Sequence, residues 1–197
     1  MKKIYIMIAA CLCLYTNAEY KVSPKGEAFI KKHEGLILKV DAYNQIGYGH
    51  LNQGSISYRH IDKATANRLF IEDIQYVNGA INRLISPINV KLSQDFIDGL
   101  GSLIYNCGES GVKNSEFYSK LVNARTQKDL KNALQEVKTF RCKSFLGLKK
   151  RRLDEFALMS SYSPYYQKGL EFYLKPVKRD YLSIYNYNIS SIYELSN

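Results

Sequence analysis

The spacing of apolar residues changes at Asp62, and this change constrains the fold more than any other feature of the chain. After Asp62 the apolar residues recur every three or four positions, which is the period of one face of an α-helix. These residues are Ala66, Leu69, Phe70, Ile74, Val77, Ile81 and Leu84. Residues 36–60 lack this period, and glycines at 47, 49 and 54 separate short segments rich in tyrosine and isoleucine. That pattern predicts a small, irregular β-hairpin. A hairpin followed by a long amphipathic helix indicates an α+β fold that is mostly helical.

Helix start and stop signals occur on both sides of this boundary. Ser23 as N-cap and Pro24 at the first helical position predict a helix that ends near Glu34, with Gly35 as its stop. Asp62 is expected to cap the long helix, which Ser86-Pro87 would end. Further helices are expected from Ser93 to Tyr105, where the turn Asn106-Cys107-Gly108 follows, and near 115–123, 126–139 and 147–162.

The N-terminal residues have the three parts of a secretory signal peptide. Lys2 and Lys3 precede an apolar run over residues 4–15, and Thr16-Asn17-Ala18 supplies the small residues that a signal peptidase recognises. A transmembrane helix needs about 20 apolar residues, so no stable membrane span is expected. Residues 1–18 are therefore predicted to be a signal peptide and the protein to be periplasmic or extracellular. Lipid attachment at Cys11 is the less favoured alternative, because the residues after it remain apolar.

Two cysteines, Cys107 and Cys142, remain beyond the signal peptide. An exported protein permits a disulfide between them, and two buried thiols are the alternative. Residues 19–163 are predicted to form one domain. Residues 164–197 form an extension rich in tyrosine, which is expected to pack on that domain; binding to glycan or to another protein is the alternative.

The formal net charge of the chain is +10. A basic surface favours polyanions such as nucleic acid, anionic lipid or an anionic cell-wall polymer, and it also aids solubility. No nucleic-acid-binding motif is present and the chain is expected to be exported, so nucleic acid is not expected as a partner.

Five residues suited to acid–base chemistry or ligand contact lie between the first helix and the hairpin: His33, Glu34, Asp41, Tyr48 and His50. Cleavage of a glycosidic bond requires a carboxylic acid to protonate the leaving oxygen and commonly a second carboxylate. A glutamate that is partly shielded at a helix end suits the first role. Asp41 is the next carboxylate along the chain. The histidines, cysteines and carboxylates lack metal-ligand spacing, so neither a metal nor a cofactor is expected.

Four motifs in order resemble the phage-type lysozymes, that is, the endolysins of glycoside hydrolase family 24. They are Phe29-Ile30-Lys31-Lys32-His33-Glu34-Gly35-Leu36 with Ile46-Gly47-Tyr48-Gly49-His50; residues 94–100; Tyr105-Asn106-Cys107-Gly108 with Ser115; and residues 147–156. The resemblance implies a lysozyme-like fold in which a helical lobe and a hairpin lobe flank a cleft, with residues 19–163 as the catalytic domain. It also implies a muramidase that cleaves the β-1,4 bond between N-acetylmuramic acid and N-acetylglucosamine in peptidoglycan strands.

By position, Glu34 matches the general acid of the family, and Asp41 is the expected second carboxylate. Tyr48, Gln45, His50 and Asn106 are the expected substrate-binding residues, although Tyr48 and His50 suit a structural role better than a catalytic one. Arg151, Arg152 and Glu155 are expected to form a buried ion pair or a helix-surface contact.

The segment between Glu34 and Gly47 departs from the family pattern. It is shorter than usual, and Gln45 stands where the family has threonine. Asn44 and Gln45 can orient a water but cannot act as general bases at neutral pH. Two alternatives on the same fold follow: a non-hydrolytic peptidoglycan-binding protein, and a lytic transglycosylase that uses the glutamate alone. An interbacterial toxin would also need an inhibitory protein partner; otherwise a monomer is expected.

Overall fold

The computed structural model describes residues 19–53, 57–141 and 146–160. The predicted signal peptide, the C-terminal extension and Cys142 lie outside the described residues. The secondary-structure elements, in chain order, are α1 (Pro24–Glu34), β1 (Gln45–Ile46), β2 (His50–Leu51), α2 (Lys63–Ile85), α3 (Gln94–Lys113), α4 (Glu116–Val122), α5 (Gln127–Gln135), a 3₁₀ helix (Glu136–Thr139) and α6 (Leu146–Ser160). The prediction of a mostly helical α+β fold with a small hairpin is confirmed.

The helices begin at the residues that the capping signals predict. Ser23 Oγ accepts a hydrogen bond from the backbone N–H of Gly26, and Asp62 Oδ1 accepts one from the N–H of Thr65. Gly35 ends α1 with a φ of 73°, in the left-handed region that favours glycine. The capping residues thus fix where α1 begins and ends, and they place Glu34 at its last position.

Helix α3 consists of two helical segments that meet at Gly108. The predicted break at Asn106-Cys107-Gly108 is present, since Gly108 has a non-helical φ of 72° and ψ of 160°, and a second segment continues from there to Lys113. The glycine interrupts the helix for one residue, and burial of Gly111 and Val112 then stabilises a further turn. The segment predicted as one helix over 126–139 is α5 followed by the 3₁₀ helix.

Helix α3 lies at the centre of the fold, with α1, α2, α4 and α6 packed around it. Its apolar side chains are almost completely buried: Phe96, Ile97, Leu100, Leu103 and Ile104. The absence of a side chain at Gly99 allows α6 to approach closely, because a Cβ there would lie 2.2 Å from Met159 Cγ. This close packing brings the first half of α6 against Ser102 of α3.

The hairpin is small and irregular. Strands β1 and β2 pair antiparallel, with Gln45 opposite Leu51 and Ile46 opposite His50. Single bridges from Ile37 to Gly47 and from Lys39 to His60 extend it. Within the described residues, none of the helices has the length and apolar character needed to cross a membrane.

Candidate active site

The side chain of Glu34 lies where α1, the hairpin and α6 meet. It is 17% exposed, and its Oε1 accepts a hydrogen bond of 2.6 Å from Arg151 Nη1. Its Oε2 faces the hairpin, since a Cβ placed on Gly49 would lie only 3.0 Å from that oxygen. Gly49 has a φ of 80°. A glycine at this position therefore provides both the backbone conformation and the space for the carboxyl group.

The guanidinium group of Arg151 is bonded on three sides. Besides Glu34, it donates from Nη2 to the carbonyl and hydroxyl oxygens of Ser102, both at 3.2 Å, and from Nε to Glu155 Oε1 at 3.0 Å. Burial acts to lower the pKa of Arg151, but the carboxylates of Glu34 and Glu155 outweigh it and raise the pKa. Arg151 therefore remains a fixed positive charge beside Glu34.

Glu155 is completely buried between two arginines. Its Oε1 also accepts a 2.7 Å hydrogen bond from the Ser102 hydroxyl, and its Oε2 pairs with Nη1 of Arg152. Arg152 in turn donates from Nη2 to Asn106 Oδ1 and from Nε to the carbonyl of Phe140 at 2.9 Å. Such a network satisfies the hydrogen-bonding groups that burial would otherwise leave without partners. Asn106, expected to bind substrate, here holds Arg152 with its side-chain oxygen.

Asp41 lies in the loop that precedes β1. Its Oδ1 accepts hydrogen bonds from the backbone N–H groups of Tyr43 at 2.9 Å and Gln45 at 2.8 Å, so the side chain fixes the shape of this loop. The backbone N–H of Asp41 also donates to the carbonyl of Gln45 at 3.0 Å. Gln45 is thereby held at the start of the hairpin, where its partly exposed side chain replaces the expected threonine.

The other two predicted site residues of the hairpin attach it to the helices. The ring of Tyr48 is buried against Phe70, and its carbonyl accepts a 2.6 Å hydrogen bond from the hydroxyl of Tyr105. Nδ1 of His50 lies 3.0 Å from both carboxylate oxygens of Asp73 on α2. Both residues therefore connect the hairpin to the helices, and their substrate-binding role stays a prediction.

Burial shapes the acid–base properties of these attachment residues. It raises the pKa of Asp73, against the hydrogen bond from His50, which lowers it. Burial, together with the carboxylates of Asp73 and Glu34, raises the pKa of Tyr105 well above its usual range. The hydroxyl of Tyr105 is therefore a stable donor to the hairpin at any ordinary pH.

His33, adjacent to Glu34, is mostly buried against α6. Its ring contacts Phe29 with centroids 4.6 Å apart, and Nε2 lies 3.5 Å from Asp154 Oδ2, which is long for a hydrogen bond. Burial lowers the pKa of His33 to about 4, with a further contribution from the nearby charge of Arg151. His33 is therefore neutral at neutral pH.

Sequence reasoning did not identify Ser102, Asp73 or Tyr105 as contributors to the site. Tyr105 stood within one of the quoted motifs, whereas Asp73 and Ser102 had no pattern to distinguish them from other polar residues of their helices. The spacing of Arg151, Arg152 and Glu155 at i, i+1 and i+4 indicated an ion pair, and the expected buried ion pair is present.

Among the described residues, no three His, Cys, Asp or Glu side chains form a group that can hold a metal ion.

The fold and this site define a class of protein, the lysozyme-like proteins. The chain is similar to the muramidase domain of SpmX from Asticaccaulis excentricus, with a TM-score of 0.60 at 24% identity over 74% of this chain and 99% of that one. It is also similar to a P22 lysozyme variant, with a TM-score of 0.56 at 28% identity over 71% of this chain and 97% of that one.

Sequence comparison then specifies the family. The family model described as phage lysozyme matches residues 31–155. An endolysin from Acyrthosiphon pisum secondary endosymbiont phage 1 is 35% identical over 109 residues, which cover 51% of this chain and 68% of the relative. The chain belongs to the phage lysozyme family, and it is accordingly a glycoside hydrolase of the peptidoglycan-degrading type.

Proposed function

We propose that the chain is a muramidase that hydrolyses the β-1,4 bond between N-acetylmuramic acid and N-acetylglucosamine, with Glu34 as the general acid. The observation that supports this most directly is the placement of the Glu34 carboxyl. One oxygen is fixed by Arg151 on the helical side, and the other faces the glycine backbone of the hairpin. A glycan strand between the two lobes would meet the second oxygen.

The chemistry assigned to Glu34 is transfer of its proton to the glycosidic oxygen as the bond from that oxygen to the anomeric carbon breaks. Asp41 is the proposed second carboxylate, which stabilises the positive charge on the sugar ring or activates the attacking water. The oxygen of that water becomes bonded to the anomeric carbon, its released proton passes to Asp41 where Asp41 activates it and otherwise returns to Glu34, and a reducing end is left. Gln45 is proposed to orient the water by hydrogen bonding.

The setting of the reaction is proposed to be the cell wall, reached by export of the chain. The signal-like residues 1–18 and the formal charge of +10 support this location, because a basic protein is attracted to an anionic wall. Tyr48, His50 and Asn106 are proposed to shape the substrate-binding surface, through the contacts that hold the hairpin and Arg152 in place.

The first experiment is the substitution Glu34→Gln, which keeps the volume of the side chain and removes the transferable proton. Loss of general-acid catalysis is expected to lower kcat on purified sacculi by roughly a hundredfold to ten-thousandfold. Glu109→Gln is the matched control, since Glu109 is also a partly buried glutamate paired with an arginine, Arg83, at 2.7 Å. The control is expected to retain full activity.

The products of the unsubstituted protein, read by mass spectrometry, test the reaction type. Muropeptides with reducing ends are expected from hydrolysis. Anhydro products would instead identify a lytic transglycosylase, and full activity of the Glu34→Gln variant would show that another residue is the acid.

A further inference from the structure

The carboxylate of Glu155 is completely buried, yet it is connected to Glu34 through a single residue. Arg151 donates from Nε to Glu155 and from Nη1 to Glu34, so one guanidinium group bridges the two carboxylates. The bridge is rigid, because Arg151 is 5% exposed and Glu155 is completely buried. Burial of this kind restricts both side chains to one arrangement.

We propose that Glu155 is a positioning residue for Glu34 that acts through Arg151. We call the contacts from Glu155 through Arg151 to Glu34 the relay, and we propose that Ser102 fixes its geometry. The proposal rests on the proposed role of Glu34 as general acid. Ser102 suits its part because its hydroxyl donates to Glu155 Oε1 at 2.7 Å and accepts from Arg151 Nη2 at 3.2 Å. With two of its nitrogens bonded to Glu155 and Ser102, Arg151 presents Nη1 to Glu34 Oε1 in one direction.

The consequence for Glu34 is that its two oxygens have different tasks. Oε1 is held by Arg151, which leaves Oε2, next to Gly49, to exchange the proton. Glu155 also balances the charge of Arg151. Without Glu155, Glu34 would be the only carboxylate bonded to this guanidinium group.

Arg152 completes the arrangement by holding the far side of Glu155. Its Nη1 pairs with Glu155 Oε2, while Phe140 and Asn106 fix the rest of its guanidinium group. The consecutive arginines therefore have separate tasks: Arg151 contacts Glu34, and Arg152 anchors the carboxylate that orients Arg151.

The test compares Glu155→Gln with Glu155→Asp. The glutamine removes the negative charge that balances Arg151, and we expect the alkaline limb of the kcat/KM profile to move to lower pH because an unbalanced positive charge then lies beside the general acid. The aspartate keeps the charge on a shorter side chain, so it is expected to restore the position of that limb while kcat stays low. A purely structural role would lower activity without moving the limb, and a limb that stays in place in Glu155→Gln would overturn the proposal.

Ser102→Ala provides a second test that removes no charge. Displacement of a catalytic group by about 1 Å can lower a rate by about a hundredfold, so we expect kcat to fall by about tenfold or more while KM stays unchanged. The matched control is Ser115→Ala, which deletes the hydroxyl that caps α4 and touches neither arginine. Equal kcat values for the two alanine variants would overturn the role of Ser102, including in the case that Glu155→Gln fails to fold.

The proposed function and the relay fail in different ways. Full activity of Glu34→Gln would remove the general acid itself and the relay with it. An inactive Glu34→Gln together with an unshifted Glu155→Gln would leave the general acid in place and remove only the relay.

Discussion

Asp41 has a structural task that an asparagine would perform equally well. Its Oδ1 accepts the N–H groups of Tyr43 and Gln45, and the amide oxygen of an asparagine accepts the same bonds. What a carboxylate adds at this position is therefore its negative charge. The proposed role beside an oxocarbenium-like sugar uses that charge.

The substitution Asp41→Asn separates the two tasks. The loop should keep its shape, so the melting temperature is expected to stay the same. Loss of the charge is expected to lower kcat on sacculi by roughly a hundredfold, the scale of a removed electrostatic contact to a transition state. Asp41→Ala removes the loop bonds as well and should lower both stability and activity. Full activity in Asp41→Asn would show that Asp41 serves the loop alone.

The hairpin depends on helices for its position, because its two strands have only two residues each. An isolated two-stranded hairpin is marginal in water at best. Tyr105 of α3 and Asp73 of α2 supply the missing support through the carbonyl of Tyr48 and the ring of His50. Since Gly49 lies between these two attachment points, they also set its distance from Glu34.

Tyr105→Phe tests whether this support matters for catalysis. Loss of the hydrogen bonds to the Tyr48 carbonyl and to Asp73 Oδ2 is expected to lower the free energy of unfolding by about 2 kcal/mol. Activity should fall by about tenfold, because the hairpin would shift relative to Glu34. Tyr118→Phe is the control, since its hydroxyl also donates to a backbone carbonyl, that of Leu84 in α2, at 3.0 Å and has no contact with the hairpin among its hydrogen bonds. Chemical denaturation and kcat measure the two effects. The same activity in both variants would contradict a role for the hairpin attachment.

The ends of helices could be predicted from the sequence where a single capping residue determines them. Ser23, Gly35 and Asp62 each act on their own helix end, so their consequences follow from local chemistry. The second segment of α3 could not be predicted in this way. Gly108 ends the first segment as expected, and burial of Val112 in the core stabilises a further helical turn after it. Core packing is a tertiary effect, which residue spacing along the chain does not reveal.

At the scale of the whole molecule, the sequence predicted that Glu34 lies at the end of α1 but did not predict the arrangement around its carboxyl group. The contact between Glu34 and Arg151 joins residues that are 117 positions apart. The motif around Arg151 indicated an ion pair, but its partner depends on how α6 packs on α3 at Gly99. The spacing of Asp41 from Glu34 suggested a catalytic pair and gave no sign of the loop contacts that Asp41 makes.

The position of α6 beside the end of α1 also buries His33 and couples folding to pH. The folded pKa of His33 is about 4, below its ordinary value of 6.5, because burial and the positive charges of Arg151 and Lys32 disfavour the imidazolium. Asp154 faces the ring at 3.5 Å and acts in the opposite sense, without outweighing them. Between these two pH values the unfolded chain binds a proton that the folded chain excludes.

Stability is therefore expected to fall as the pH is lowered from about 6.5 to about 4, since the unfolded state gains the proton. Below that range the contribution of His33 no longer changes, as both states are protonated. His33→Gln should flatten this part of the profile, measured as the free energy of unfolding in urea at pH 7, 5 and 4. His60→Gln is the control, because His60 is exposed, and it should keep the original slope. Carboxylates that titrate over the same range contribute equally to both variants. A slope that His33→Gln leaves unchanged would therefore mean that folding does not lower the pKa of His33.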